Sequence, residues 1–91
     1  MYHITDYTYR QASLLEVSVK PSTSKGKKID VYKDGKKIAS VGSLGYKDFP
    51  TYVKENGLEF ANIRRKAYKT RHEKDRHKLF SNGYFADKLL W

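Results

Sequence analysis

Residues 71 to 78 read RHEKDRHK, and their side chains suit four different chemistries. Arg71, Lys74, Arg76 and Lys78 are cations, Glu73 and Asp75 are acids, and His72 and His77 can ligate a metal or carry a proton. The segment can be read as a metal site, a nuclease centre, a polyanion-binding face or a solvated ridge that keeps a small protein soluble. A zinc helix of the His-Glu-x-x-His kind places its imidazoles four residues apart, on one face. His72 and His77 are separated by five residues, about 140° around a helix, so they diverge while the segment is helical. His3 is the remaining histidine, and four cations crowd the site against a divalent ion, so no metal is expected.

A nuclease holding Mg²⁺ needs clustered carboxylates. Glu73 and Asp75 point to different helical faces, and Glu73 is within reach of Lys69 and His77 for charge pairing. There is no Ser/His/Asp constellation, cysteine nucleophile or glycine-rich phosphate loop. The two glycines of VGSLG (41 to 45) fit a strand-to-helix connection. The reading is therefore non-enzymatic, without cofactor, metal or small-molecule substrate.

A basic surface remains. Residues 64 to 78 hold eight Lys/Arg and two acids, and residues 25 to 37 hold six lysines and two aspartates; the whole chain carries a net +9. Charge concentrated in two patches resembles a footprint for a polyanion, because each phosphate neutralised by a cation releases condensed counterions. The candidate nucleic-acid-binding residues are Lys33, Lys36 and Lys37 in the first patch, and Arg64, Arg65, Lys69, Arg71, Lys74, Arg76 and Lys78 in the second. Tyr68 or Tyr32 could stack on bases. The bland reading of the eight tyrosines is that most finish a small core. No helix-turn-helix, zinc-finger or RNA-recognition signature supports sequence-specific readout.

These side chains must be positioned by a small fold. Ninety-one residues make one domain, which buries somewhat more than about 60% of its unfolded surface. Cysteine is absent, so disulfides and thiolate metal sites are excluded. No apolar run approaches the roughly 20 residues of a membrane span, and MYHITDYTYR lacks a signal-peptide core, so a soluble, non-secreted protein is expected.

Residues 1 to 11, rich in tyrosine, are expected to form an N-terminal aromatic arm, with residues 12 to 91 as a single basic domain. ASLLEVSVK (12 to 20) alternates, with Leu15, Val17 and Val19 on one face, and predicts a half-buried strand. Asp34-Gly35 between alternating runs predicts a type I′ hairpin pairing Val31 with Ile38 and Ile29 with Ser40. That hairpin opposes Lys33 to Lys36, at a cost of about 0.2–1 kcal/mol that an anion would offset.

Asp48 is expected to cap a short helix that tolerates Pro50 in its first turn and stops at Asn56-Gly57. A longer helix from about Leu58 would bury Phe60, Ile63 and Ala67. Beyond Tyr68 the RHEKDRHK segment must project past the core or leave the helix. Asn82-Gly83 predicts a turn, and Phe85, Leu89 and Trp91 a last short helix docked on the sheet with Trp91 buried. The expected fold class is α+β: a small antiparallel sheet with a DG hairpin, followed by two or three helices packed on one face.

The segments VYKDGKKIASVGSLGYKDFPTY, GLEFANIRRKAYKTRHEKDRH and NGYFADKLLW resemble a small domain family of large nucleocytoplasmic DNA viruses and some phages. The resemblance covers residues from about 28 to 91, and RHEKDRH and GYFADKLLW are its most specific parts. The family has no established activity, so it transfers no catalytic or binding role. It implies a viral context, in the virion or the infected host cell. Two roles fit there: a protein that binds nucleic acid, DNA first, or a minor capsid or cement protein whose basic segment meets acidic capsid proteins.

Overall fold

The structure is a computed structural model and describes residues 2–91; Met1, the first residue of the expected arm, lies outside the described residues. Its elements run α1 (Asp6–Leu14), β1 (Ser18–Pro21), β2 (Lys27–Lys33), β3 (Lys36–Ser43), α2 (Phe49–Asn56), α3 (Leu58–Arg71) and α4 (Asn82–Leu90). The three strands form one antiparallel sheet in the order β1-β2-β3. The α+β class therefore stands, with four helices among the described residues, one of which precedes the sheet.

That first helix replaces the expected arm. Thr5 caps α1 by accepting from the Thr8 amide, and Asp6 sits in the first turn, where the helix dipole favours an acid. Ile4, Thr8 and Ala12, four residues apart, are all buried. The Thr8 hydroxyl donates to the Leu89 carbonyl at 2.7 Å, and the Gln11 amide donates to the Lys88 carbonyl at 3.2 Å, tying α1 to the last turn of α4. The long strand expected over 12–20 shrinks to Ser18–Pro21, because Ala12 to Leu14 complete α1 and Glu16 turns the chain at φ 59°.

The hairpin forms as the Asp-Gly pair dictates. Asp34 and Gly35 have φ of 52° and 80°, and Lys33 lies opposite Lys36. The register beyond it differs from expectation. An irregularity at Val31/Tyr32 pairs Tyr32 with Lys37 and Val31 with Ala39, so Ile38 is the extra residue and Ile29 meets Val41. One inserted residue reverses which side chains face the core, which is why Ile38 is exposed and Ala39 buried. Val19, Ile29, Val31, Ala39 and Val41 then meet Ile4 and Ala12 before the sheet and Phe85, Leu89 and Leu90 of α4 in one core.

Asp30, in the middle strand, is buried among polar partners. The Ser22 and Ser40 hydroxyls each donate to it at 2.6 Å, and the Thr23 amide donates at 3.2 Å. Burial by itself would raise this carboxyl, but those hydrogen bonds and nearby Lys37 outweigh it and hold it at about 2. A depressed carboxyl contributes stability that is complete above its ordinary value of 3.8 and disappears as pH falls towards 2. The thermal midpoint is therefore expected to be level between about pH 5 and 8 and to drop below about pH 4. Melting curves of the native chain and Asp30→Asn across that range check it: the variant's acid slope should be shallower, and identical slopes would remove Asp30 from the account.

The second half follows its capping signals. Asp48 accepts from the Thr51 amide at 3.1 Å, Pro50 occupies the first turn of α2, and Gly57 at φ 90° ends α2 and starts α3. The buried side of α3 differs from expectation: Phe60 and Ile63 are 42% and 61% exposed, Ala67 is exposed, and Ala61 is the fully buried residue. The helix packs on α2 rather than on the sheet, so long polar side chains lie along aromatic rings. The Arg65 guanidinium lies 3.5 Å from the centre of the Phe49 ring, and Tyr52 meets Phe60 at 5.8 Å.

RHEKDRHK leaves the helix. Arg71 is the last residue of α3, and the Asp75 and Arg76 amides both donate to the His72 carbonyl to turn the chain. Asn82-Gly83 is not the turn but the first turn of α4, capped by Ser81; the left-handed residue is Phe80, at φ 62°. Gly83 is required by close approach, since a Cβ there would stand 2.8 Å from the Asp75 carbonyl oxygen. Trp91 is half-buried rather than buried.

Candidate nucleic-acid interface

The loops after β3 and α3, together with the ends of α4, enclose a cleft of about 850 Å³. Its basic lining comes from four parts of the chain: Lys27 and Lys28 of β2, Lys47 before α2, Arg64 and Arg71 of α3, and Lys74 and Lys78 of the following turns. Its aromatic lining is Tyr46, Tyr52, Tyr68 and Trp91, with His72 beside them. Among the described residues, Asp75 is the single acidic side chain lining it, 3.9 Å from His72 Nδ1.

Not all of the cations are free to meet a ligand. Lys28 Nζ donates to Asp48 Oδ2 at 3.0 Å, and the Tyr2 hydroxyl donates to the same oxygen at 2.6 Å. Burial would raise the Asp48 carboxyl, but Thr51, Tyr2 and Lys28 outweigh it and hold it below the usual range. Burial and the Asp48 carboxylate together push the Tyr2 hydroxyl far up. Lys47 donates to Glu55 at 2.6 Å. Among the described residues, Lys27, Arg64, Arg71, Lys74 and Lys78 line the cleft without an acidic partner.

The expected binding residues divide accordingly. Arg64, Arg71, Lys74 and Lys78 come together in the cleft. Lys69 and Arg76 do not join them: Lys69 Nζ donates to buried Asp87 at 2.6 Å, and Arg76 lies 3.7 Å from the other Asp87 oxygen. Arg76 also donates to Glu73 at 2.8 Å. It neutralises Asp87 without hydrogen-bonding it, and among the described residues that second oxygen has no hydrogen-bond donor. Both cations thus fasten α4 to the end of α3 and the turns that follow. Lys69 is consumed there, and Glu73 takes His77 instead, at 2.7 Å. The His77 and Arg76 hydrogen bonds hold the Glu73 carboxyl below its usual range.

Arg65 is spent on the Phe49 ring, with its Nε buried and unpaired. Lys33 and Lys36 stand at the hairpin tip and Lys37 lies 3.6 Å from Asp30; none of the three lines the cleft. Tyr32 packs under Lys20, away from the cleft.

Tyr46, Lys27 and Lys47 also line the cleft, and no motif in the sequence marks them. Lys27 belongs to the first basic patch, but no local signal brings it to Arg64 across the fold. The aromatic wall is ordered: Tyr68 and Trp91 stack at 4.4 Å with an 8° tilt, Tyr52 meets Trp91 at 6.1 Å, and His72 meets Tyr68 at 4.4 Å. Burial raises the Tyr68 hydroxyl, and Asp87 adds to it.

The cleft offers cations for phosphates and ring faces for bases. Among the described residues, no group of three or more His, Cys, Asp or Glu could hold a metal ion, and no helix is long and apolar enough to cross a membrane. Comparison of the chain with protein families, curated sequences and solved structures gives no match, so the functional reading rests on the geometry and chemistry of this cleft.

Proposed function

We propose that this domain binds nucleic acid in the cleft, through phosphates, without strong sequence preference and without catalysing a reaction. The observation that carries the reading is the set of five cations, Lys27, Arg64, Arg71, Lys74 and Lys78, converging from β2, α3 and the turns on a cleft lined by one acidic side chain among the described residues. Gathering like charges costs folding energy, and a polyanion offsets that cost. DNA is the first-choice ligand, in keeping with the viral context implied by the resemblance.

The test titrates the protein with fluorescein-labelled DNA and RNA of random sequence at several salt concentrations. Anisotropy reports binding, and Trp91, the chain's single tryptophan, reports occupancy of the cleft through its own emission. Five phosphate contacts predict a slope of log affinity against log salt of about −3.5 to −4.5, similar across sequences. Absence of binding at low salt, or binding that leaves Trp91 emission unchanged, would overturn the reading.

A second reading is a structural virion component, with the basic surface against acidic capsid proteins. It is favoured by Phe60 and Ile63, three positions apart on one face of α3 and both exposed. Capture of an acidic protein that excess nucleic acid does not displace is the outcome that would put it first.

A further inference from the structure

Resting on the reading above, we propose that the cleft takes single-stranded in preference to double-stranded nucleic acid, with an unpaired base stacked on Tyr46. Tyr46 lies in the connection from β3 to α2 and is 77% exposed, yet it lines the cleft. It has no aromatic partner, and its hydroxyl makes no hydrogen bond among the described residues. Packing therefore does not account for this ring. The wall of Tyr52, Tyr68 and Trp91 is different, because those rings already hold one another.

Phosphate binding alone has no use for planar rings. They contribute when a base face is uncovered, and each stacked base is worth about 1–3 kcal/mol regardless of its identity. In a duplex, both faces of each base are covered by neighbouring pairs, so only backbone and edges are available. The size of the cleft argues the same way. At about 850 Å³ it falls within the roughly 300–1,000 Å³ of pockets that enclose a ligand of a few rings. A splayed nucleotide fits such a space, whereas a duplex would touch only its rim. Lys27, Arg64 and Arg71 then lie on the same cleft, where they can meet the phosphates that flank the inserted base.

The experiment compares three probes of equal length, a single strand, a duplex and a strand of abasic residues, against the native chain, Tyr46→Ala and Tyr46→Phe. The single strand should bind tightest and the abasic strand, which keeps the phosphates but lacks bases, clearly weaker. Tyr46→Ala should weaken single-strand binding by about 5- to 150-fold, the loss of one stacked base, leaving the salt slope and duplex affinity unchanged. Tyr46→Phe should retain native affinity, since the ring and not the hydroxyl does the stacking.

Equal affinity for abasic and normal strands, tighter binding to duplex, or an unaffected Tyr46→Ala would each overturn single-strand capture while leaving phosphate binding in place. Failure of every probe to bind would remove both readings. Because Tyr46 is exposed, its variants should melt with the native chain, so a changed affinity is not a folding defect.

Discussion

Asp48→Ala is expected to remove a large share of the domain's stability and to lower its unfolding midpoint sharply. The carboxylate accepts from the Tyr2 hydroxyl, the Lys28 ammonium, and both the amide and the hydroxyl of Thr51. Truncation leaves Lys28 a buried charge with no partner, because that side chain is only 5% exposed. Removing one member of a buried pair costs about 3–5 kcal/mol, and the lost helix cap adds to it. A domain of this length has a total stability of about 5–14 kcal/mol, so the loss approaches the whole at the lower end. Urea titration followed by far-ultraviolet circular dichroism measures it. Lys28→Met combined with Asp48→Leu should recover part of the loss, because removing both charges removes the desolvation cost with the attraction. A midpoint within experimental error of the native one for Asp48→Ala would show that the network is incidental.

The second large effect concerns binding. Replacing Arg64, Arg71, Lys74 and Lys78 by Gln should lower the magnitude of the salt slope by about 3, and affinity at 0.1 M salt by about two to three orders of magnitude. Replacing Lys33, Lys36 and Lys37 at the hairpin by Gln removes three charges but should change affinity by no more than about twofold beyond general screening. Anisotropy titrations of the two variants decide between the patches. A larger loss in the hairpin variant would move the interface to the sheet. Replacing Lys69 and Arg76 should act differently again, lowering the melting temperature by leaving Asp87 without its cations.

These contrasts depend on sorting cations that look alike in one dimension. Arg76 and Lys78 are two residues apart in the same polar segment, yet Arg76 lies against buried Asp87 and Lys78 lines the cleft. The partner of Lys69 is 18 positions away, across the RHEKDRHK turns. No helical spacing reports such a pairing, so a count of positive charge overstates the number available to a ligand. Gly83 is similar: its role against the Asp75 carbonyl exists only once α4 folds back on those turns.

The sequence by itself determined the features whose causes are local. Asp34-Gly35 adopts positive φ and turns the chain; Asp48, Pro50 and Gly57 delimit α2; and the clustered lysines and arginines make a basic domain. Each follows from a residue's own conformational preference, or from charge that is present whatever the fold.

Tertiary structure decided the rest. Helix α1 was hidden because its buried face uses Thr8 and Ala12, and Thr8 gains its place by donating to a carbonyl 81 residues away. The buried side of α3 is not the one its apolar spacing predicts, because the helix packs on a neighbouring helix, with Arg65 along a ring. The cleft is assembled from β2, β3, α2, α3, two loops and α4, so its residues meet only after the core of Phe85, Leu89 and Leu90 has brought those elements together. Hydrophobic burial drives that assembly without regard to direction, and the long-range ion pairs then settle which cations remain for a ligand.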